Sequence, residues 1–150
     1  MNIELLKKVK EYILSKPIHF NMKRGIAREP ECGTVACLAG TACLLSIPDP
    51  DPKCEDGLFW WYIQTQLPLP DYGEPEKKEK EEVGWFPVRE TAEHFLGLKP
   101  HQGHELFHHE NWDGDYGERY DDAYNDPEER AAIAAQYIDY FISKYQKVSN

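Results

Sequence analysis

The sequence predicts an all-α fold, a compact bundle of five or six helices around one apolar central helix at about residues 35–46. Near both ends of the chain, apolar residues recur at the three- and four-residue spacing of a helix. The run between Glu31 and Asp49 carries no charge, and a helix without a polar face is typical of the middle of a bundle. No segment shows the strict alternation of a half-buried strand.

The first predicted helix covers residues 2–15, with lysines and a glutamate opposite its apolar face. Thr34 is the predicted N-cap of the central helix, and the Pro-rich run after Ser46 ends that helix. Residues 55–67 are predicted as a further, strongly aromatic helix. Residues 68–84 are rich in proline and charge and have almost nothing to bury, so an irregular charged loop is expected there.

Three features organise the second half of the chain. A helix is predicted to begin near Pro87 and to end at Gly97, and a shorter one begins at Pro100. Residues 111–126 are acidic and rich in glycine and tyrosine, which predicts an irregular acidic loop. The final helix has the strongest start signal, with Asp126 as N-cap followed by proline at its first position and glutamate at its third.

Composition limits the classes of function. The 150 residues suffice for a single all-α domain, residues 1–150. A net charge of -10 argues against direct binding of nucleic acid and favours a basic protein partner. The chain shows neither a secretion signal nor an apolar run that spans a membrane, so a cytoplasmic protein without a membrane partner is expected. Its four cysteines would then stay reduced.

The order of several landmarks resembles a family of small, uncharacterised bacterial and phage proteins. Its mark is a Cys-Gly-Thr-x-x-Cys-x-Ala-Gly segment, present here at residues 32–40. The accompanying landmarks are Phe20 and Met22 before that segment, and Ala92, Leu96-Gly97-Leu98, Leu106-Phe107, Trp112, Ile138 and Phe141-Ile142 after it. The resemblance covers most of the chain except residues 68–84. It implies a shared fold and leaves the activity open.

Cys32 is the candidate nucleophile, because a thiol just before a helix N-terminus has a lowered pKa. His19 or His94 would act as its base. The alternative is structural: Cys32 is a small, partly buried residue in the turn that enters the central helix. Cys37 and Cys43 lie within that helix and are predicted to belong to the core.

A histidine-rich helix is the candidate metal site. His101, His104 and His108 share one helical face, and His104 and His108 could bind Zn²⁺ with Asp113 or Asp115. The alternative is an exposed helix whose polar face contains histidines. The oxygen ligands of a calcium loop are suggested by Asn111, Asp113, Asp115 and Asp122, but that loop's glycine is one position late and its last ligand is an aspartate. No cofactor is expected, with Zn or Ca as the alternatives.

The leading hypothesis is a non-enzymatic, acidic protein that binds a basic protein surface, one version being an inhibitor that mimics DNA. The predicted partner-binding residues are Trp60, Trp61, Asp113, Asp115, Asp121 and Asp122, since exposed aromatic residues often anchor interfaces. A cysteine-dependent enzyme using Cys32 and a metal-binding protein using the histidine-rich helix are the alternatives.

Overall fold

A computed structural model describes residues 1–29, 33–48, 59–60, 62–65, 69–70 and 84–147. Helices dominate this part of the chain, which confirms the prediction of a helical bundle. The described helices are α1 (Ile3–Ser15), α2 (Leu38–Ser46), α3 (Val88–Leu96), α4 (Pro100–Phe107), α5 (Tyr116–Asp122) and α6 (Pro127–Lys147). Short 3-10 turns at Pro17–His19 and His109–Asn111 follow α1 and α4.

Two small antiparallel sheets accompany the helices and were not predicted. The strands are β1 (Ile26–Glu29), β2 (Gly33–Ala36), β3 (Phe59–Trp60), β4 (Tyr62–Thr65) and β5 (Gly84–Pro87). β1 lies between β2 and β3, while β4 pairs with β5. The helix predicted over residues 55–67 is therefore wrong where the structure describes it. Aromatic and β-branched residues fit strands well, and this preference outweighs the helical interpretation of the segment.

Most of the charged loop predicted at residues 68–84 lies outside the described residues. Leu69 and Pro70 belong to neither a helix nor a strand. Gly84 already belongs to β5, where it pairs with Thr65 of β4. The last residue of the predicted loop therefore belongs to a strand.

The central helix begins later than predicted. Thr34 lies in β2 and pairs with Arg28 of β1, so the prediction of Thr34 as N-cap is wrong. The N-cap is Cys37, whose Sγ accepts a hydrogen bond from the Gly40 backbone N–H at 3.4 Å. The first six residues of α2 are all buried, which is the central position that their composition predicts.

The segment predicted as an irregular acidic loop at residues 111–126 contains α5, so that part of the prediction is wrong. The turn before α5 uses Gly114, whose φ of 66° favours glycine. The start of α6 is as predicted. The Asp126 carboxylate accepts a hydrogen bond from the Glu129 backbone N–H at 3.0 Å, and this confirms Asp126 as the N-cap.

The core forms where α2 packs against α3 and α1 packs against α6. Its fully buried side chains include Leu6, Ile13, Ala42, Ala92, Ile138 and Phe141. Gly40 lets α2 approach the chain at the start of β1, since a Cβ there would collide with the carbonyl oxygen of Gly25 and with the Ile26 side chain. None of the described helices has the length and apolar character needed to cross a membrane.

Candidate functional site

The negative charge of the chain is concentrated in one segment. Residues 110–129 contain nine acidic residues and one arginine, so they contribute eight of the ten net negative charges. Six carboxylate residues of α5, the following turn and the first turn of α6 are exposed. These six residues are Glu118, Asp121, Asp122, Asp126, Glu128 and Glu129, and together they are called the acidic corner. It is the candidate site.

A buried tyrosine holds the acidic corner against the N-terminal half of the chain. Tyr120 is 2% exposed, and its hydroxyl accepts a hydrogen bond from the Met22 backbone N–H at 2.9 Å. Beside it, the buried His109 ring contacts Tyr120 and places Nε2 3.1 Å from the Asp121 carboxylate. The orientation of the Asp121 carboxylate is therefore fixed from inside the fold, while its outer surface meets solvent.

A second set of contacts connects the residues before α5 to the last helix. Trp112 stacks on Tyr137 of α6 with ring centroids 4.6 Å apart, and its indole N–H donates to the Leu106 carbonyl at 3.1 Å. The next residue, Asp113, accepts hydrogen bonds from Lys144 at 2.7 Å and from the Tyr140 hydroxyl at 2.9 Å. These contacts fix the chain that leads into α5.

Lys144 also binds the Glu105 carboxylate on α4, at 3.0 Å from each oxygen. Glu105 accepts two further hydrogen bonds at 2.7 Å, from the hydroxyls of Tyr137 and Tyr145. The six side chains of Glu105, Asp113, Tyr137, Tyr140, Lys144 and Tyr145 form the Lys144 network. One ammonium group therefore binds two carboxylates that belong to different parts of the fold.

The network shifts the pKa values of its members. The hydrogen bond from Lys144, and then that from Tyr140, holds the pKa of Asp113 below its usual range. Desolvation opposes the charge on Lys144, but the hydrogen bonds to Asp113 and Glu105 prevail and raise the pKa of its ammonium group. Burial, followed by the hydrogen bond to Glu105, raises the pKa of Tyr137. Lys144 and Asp113 are thus held in their charged forms across the neutral range.

The structure separates the four predicted acidic partner-binding residues into two groups. Asp113 is used by the Lys144 network, and Asp115 forms a 3.7 Å ion pair with Arg119. Asp121 and Asp122 are exposed at the end of α5. The acidic corner therefore extends further along the chain than was predicted from the sequence, and it includes the first turn of α6.

Of the two predicted aromatic anchors, the described residues include one. Trp60 lies in β3 opposite Ile26 of β1, and Trp61 lies outside the described residues. The aromatic residue that the structure exposes at the acidic corner is Tyr124, which is 65% exposed. No local signal in the sequence marks it, because a spacing of four residues from Tyr120 would place both rings on one helical face.

The structure changes the argument for a reactive thiol at Cys32. That residue lies outside the described residues, and the helix it was expected to precede directly begins only at Leu38. The thiol at the helix N-terminus is that of Cys37, which is buried. Burial raises the pKa of Cys37 despite the lowering effect of backbone hydrogen bonds from Gly40 and Ala39. At this thiol, the effect of desolvation on the pKa therefore outweighs the lowering effect of the helix N-terminus.

The two candidate bases have different surroundings. His19 is partly buried, and its Nδ1 lies 2.8 Å from the Thr34 carbonyl oxygen in β2. Since a carbonyl oxygen only accepts, Nδ1 carries the proton in this contact. His94 is exposed on α3. Of the two, His19 is the histidine with a contact to the strand that follows Cys32.

The predicted metal ligands do not form a single site. His104 and His108 are neighbours, with ring centroids 4.9 Å apart. His104 Nδ1 contacts the Asn111 amide at 3.2 Å, whereas Asp113 is bound by Lys144 and Tyr140. Within the described part of the chain, no group of three His, Cys, Asp or Glu residues is arranged to hold a metal ion. The predicted calcium ligands do not lie in one loop either, because Asp122 is the last residue of α5.

The fold and the corner together define a small, mostly helical protein with a strongly acidic, internally supported surface segment. Comparison of the chain with protein-family models, with curated proteins and with solved structures finds no match in any of the three.

Proposed function

We propose that this protein is an acidic, cytoplasmic interaction protein that binds the basic surface of a protein partner through the acidic corner. The observation that carries the proposal is the concentration of eight of the ten net negative charges in residues 110–129. Six exposed carboxylate residues of this segment lie on two helices and the turn between them. Such a surface raises the rate of association with a basic partner and disfavours association with acidic proteins.

The contacts behind the corner support this role. Tyr120, Trp112 and Asp113 each connect the segment to another part of the fold through hydrogen bonds or ring stacking. A surface that is already ordered loses less conformational entropy when a partner binds. The backbone of the corner is therefore ordered before a partner binds, which favours a specific partner over a general attraction to cations.

The direct test is affinity capture at low salt with a matched pair of double variants. The corner variant is Glu118→Gln with Asp122→Asn, and the control is Glu4→Gln with Glu11→Gln on α1. Both remove two negative charges from exposed positions. We expect to capture a partner that binds the wild-type protein and the control variant but does not bind the corner variant. Added salt should release this partner. Equal capture by both double variants would contradict the proposal.

One form of this function is inhibition by imitation of DNA, in which the corner occupies a nucleic-acid-binding groove. Carboxylates on a firm scaffold can take the place of phosphates in a basic groove, because both are negatively charged hydrogen-bond acceptors. Competition distinguishes this form from other basic partners. A captured partner should be displaced by duplex DNA and should itself bind DNA; a partner that does neither excludes the DNA-mimic form and leaves the wider proposal standing.

A second proposal belongs to another class: Cys32 acts as a nucleophile with His19 as its base. It is favoured by the contact between His19 Nδ1 and the Thr34 carbonyl, which leaves Nε2 of the neutral ring as the proton acceptor. Alkylation of Cys32 across a pH series tests it. Cys32 should react faster than a model thiol at neutral pH, and His19→Gln should slow the reaction. A rate equal to that of the model thiol would end this proposal.

A further inference from the structure

A shallow depression lies beside the acidic corner. It forms where the loop before β1 meets the end of α5 and the start of α6. Its lining residues are Asn21, Lys23, Tyr120, Asp121, Tyr124 and Arg130. It differs from the rest of the corner because a carboxylate and an exposed aromatic ring face the same space.

The protein's own Lys23 lies in this depression. Its Nζ is 3.7 Å from Asp121 Oδ1 and 5.8 Å from the centroid of the Tyr124 ring. A carboxylate beside an aromatic face attracts a cationic side chain by charge and by the ring quadrupole. The lysine therefore marks where a cation binds and which groups bind it.

The contact made by Lys23 is easily replaced. Both members of the ion pair are more than half exposed, at 57% for Lys23 and 52% for Asp121, and such pairs contribute little stability. The Asp121 carboxylate keeps its position without Lys23, since His109 Nε2 lies 3.1 Å from the same oxygen. Tyr124 is likewise 65% exposed. The carboxylate of the site thus stays in place when its occupant leaves, and the Tyr124 ring stays accessible.

We propose that Asp121 and Tyr124 form a binding site for an arginine side chain of the protein partner, and that Lys23 occupies this site in the free protein. This inference rests on the proposed function of the acidic corner. Arginine fits better than lysine, because its planar guanidinium stacks on an aromatic ring while its N–H groups reach a carboxylate. Lys23 then acts as an internal competitor that a partner arginine displaces.

The test uses a blocked peptide, Ac-Gly-Arg-Gly-Arg-Gly-NH2, titrated into the full protein and followed by NMR of the Tyr124 and Lys23 backbone signals. Lys23→Met should tighten binding about threefold, as expected for loss of one weak competing contact. Lys99→Met is the matched control, since it makes the same charge change at an exposed residue elsewhere. Tyr124→Leu should weaken binding about threefold, whereas Tyr124→Phe keeps the aromatic face and binds as the wild-type protein does.

The outcomes separate this inference from the function on which it rests. In one outcome the peptide binds, the Glu118→Gln and Asp122→Asn variant weakens its binding, and Tyr124→Leu does not. The arginine site is then wrong, and the proposed function of the acidic corner stands. If the corner variant also leaves binding unchanged, both fall. A lysine peptide of the same length that binds as tightly as the arginine peptide overturns the assignment to arginine, as would equal effects of Lys23→Met and Lys99→Met.

Discussion

Lys144 Nζ lies 3.0 Å from both carboxylate oxygens of Glu105, and this pair connects α4 to α6. The same ammonium group lies 2.7 Å from Asp113. We expect Lys144→Met to lower the free energy of unfolding by about 1–2 kcal/mol, because two adjacent carboxylates lose their shared cation. Denaturant unfolding measures the loss. Lys147→Met, an exposed change near the end of the same helix, should have little effect, and equal losses would contradict this account.

The lowered pKa of Asp113 predicts acid sensitivity. A carboxyl group whose pKa is lower in the folded state stabilises the fold above its ordinary pKa of 3.8 and loses that contribution as the pH falls through the folded value. The difference in unfolding free energy between the wild-type protein and Asp113→Asn should stay constant near neutral pH and shrink below about pH 4. Unfolding curves at several pH values measure it, and a difference that grows in acid would show the opposite linkage.

Gly40 should not accept a side chain. A Cβ at this position would collide with the carbonyl oxygen of Gly25, which is backbone and cannot move aside alone. We expect Gly40→Ala to cost about 3 kcal/mol, the upper end of the usual cost of overpacking a core. Leu45→Ala on the same helix removes a side chain that is 39% exposed and should cost less than about 1 kcal/mol. Thermal unfolding compares the two variants.

Tyr120 and Tyr124, the two tyrosines beside the acidic corner, should respond differently to loss of their hydroxyls. Tyr120→Phe leaves the Met22 N–H buried without its partner, which should cost about 1.5 kcal/mol. Tyr124→Phe removes a hydroxyl from a residue that is 65% exposed and should leave stability unchanged. Calorimetry of both variants checks this, and a neutral Tyr120→Phe would mean that water replaces the hydroxyl.

The described thiols should be protected in the folded protein. Burial raises the pKa of Cys37 and, more strongly, that of Cys43, whose Sγ lies 3.4 Å from the Val88 carbonyl. Both should resist iodoacetamide at neutral pH and react fully in denaturant. Mass spectrometry of digests identifies the labelled residues. Rapid labelling of Cys37 under native conditions would show that the entry to α2 opens.

The helices were predictable where local signals were complete. Asp126, Pro127 and Glu129 set the start of α6 by capping and φ preference, which are local effects. The start of α2 was not predictable in this way. Thr34 is a good N-cap residue, but its backbone pairs with β1 instead, and a pairing partner several residues away is not visible in the local pattern. The aromatic residues of β3 and β4 were misassigned for the same reason.

The candidate site was predictable in charge and less so in geometry. Composition located the acidic segment, because charge is a property of sequence alone. It did not show that Asp113 is bound by Lys144, 31 residues further along, or that Tyr124 remains exposed while Tyr120 is buried. These facts depend on how α5 packs against its neighbours. The shift of the corner toward α6 follows from them.

The hydrogen bond between Tyr120 and Met22 has a kinetic consequence. On α5, the residues that a partner would contact directly follow Tyr120. Its hydroxyl is hydrogen-bonded to a residue 98 positions earlier in the chain. A partner that holds the corner therefore also slows the detachment of α5 from the N-terminal half. Exchange of the Met22 amide hydrogen with solvent should slow when a partner binds, so that this buried amide reports occupancy of the acidic corner.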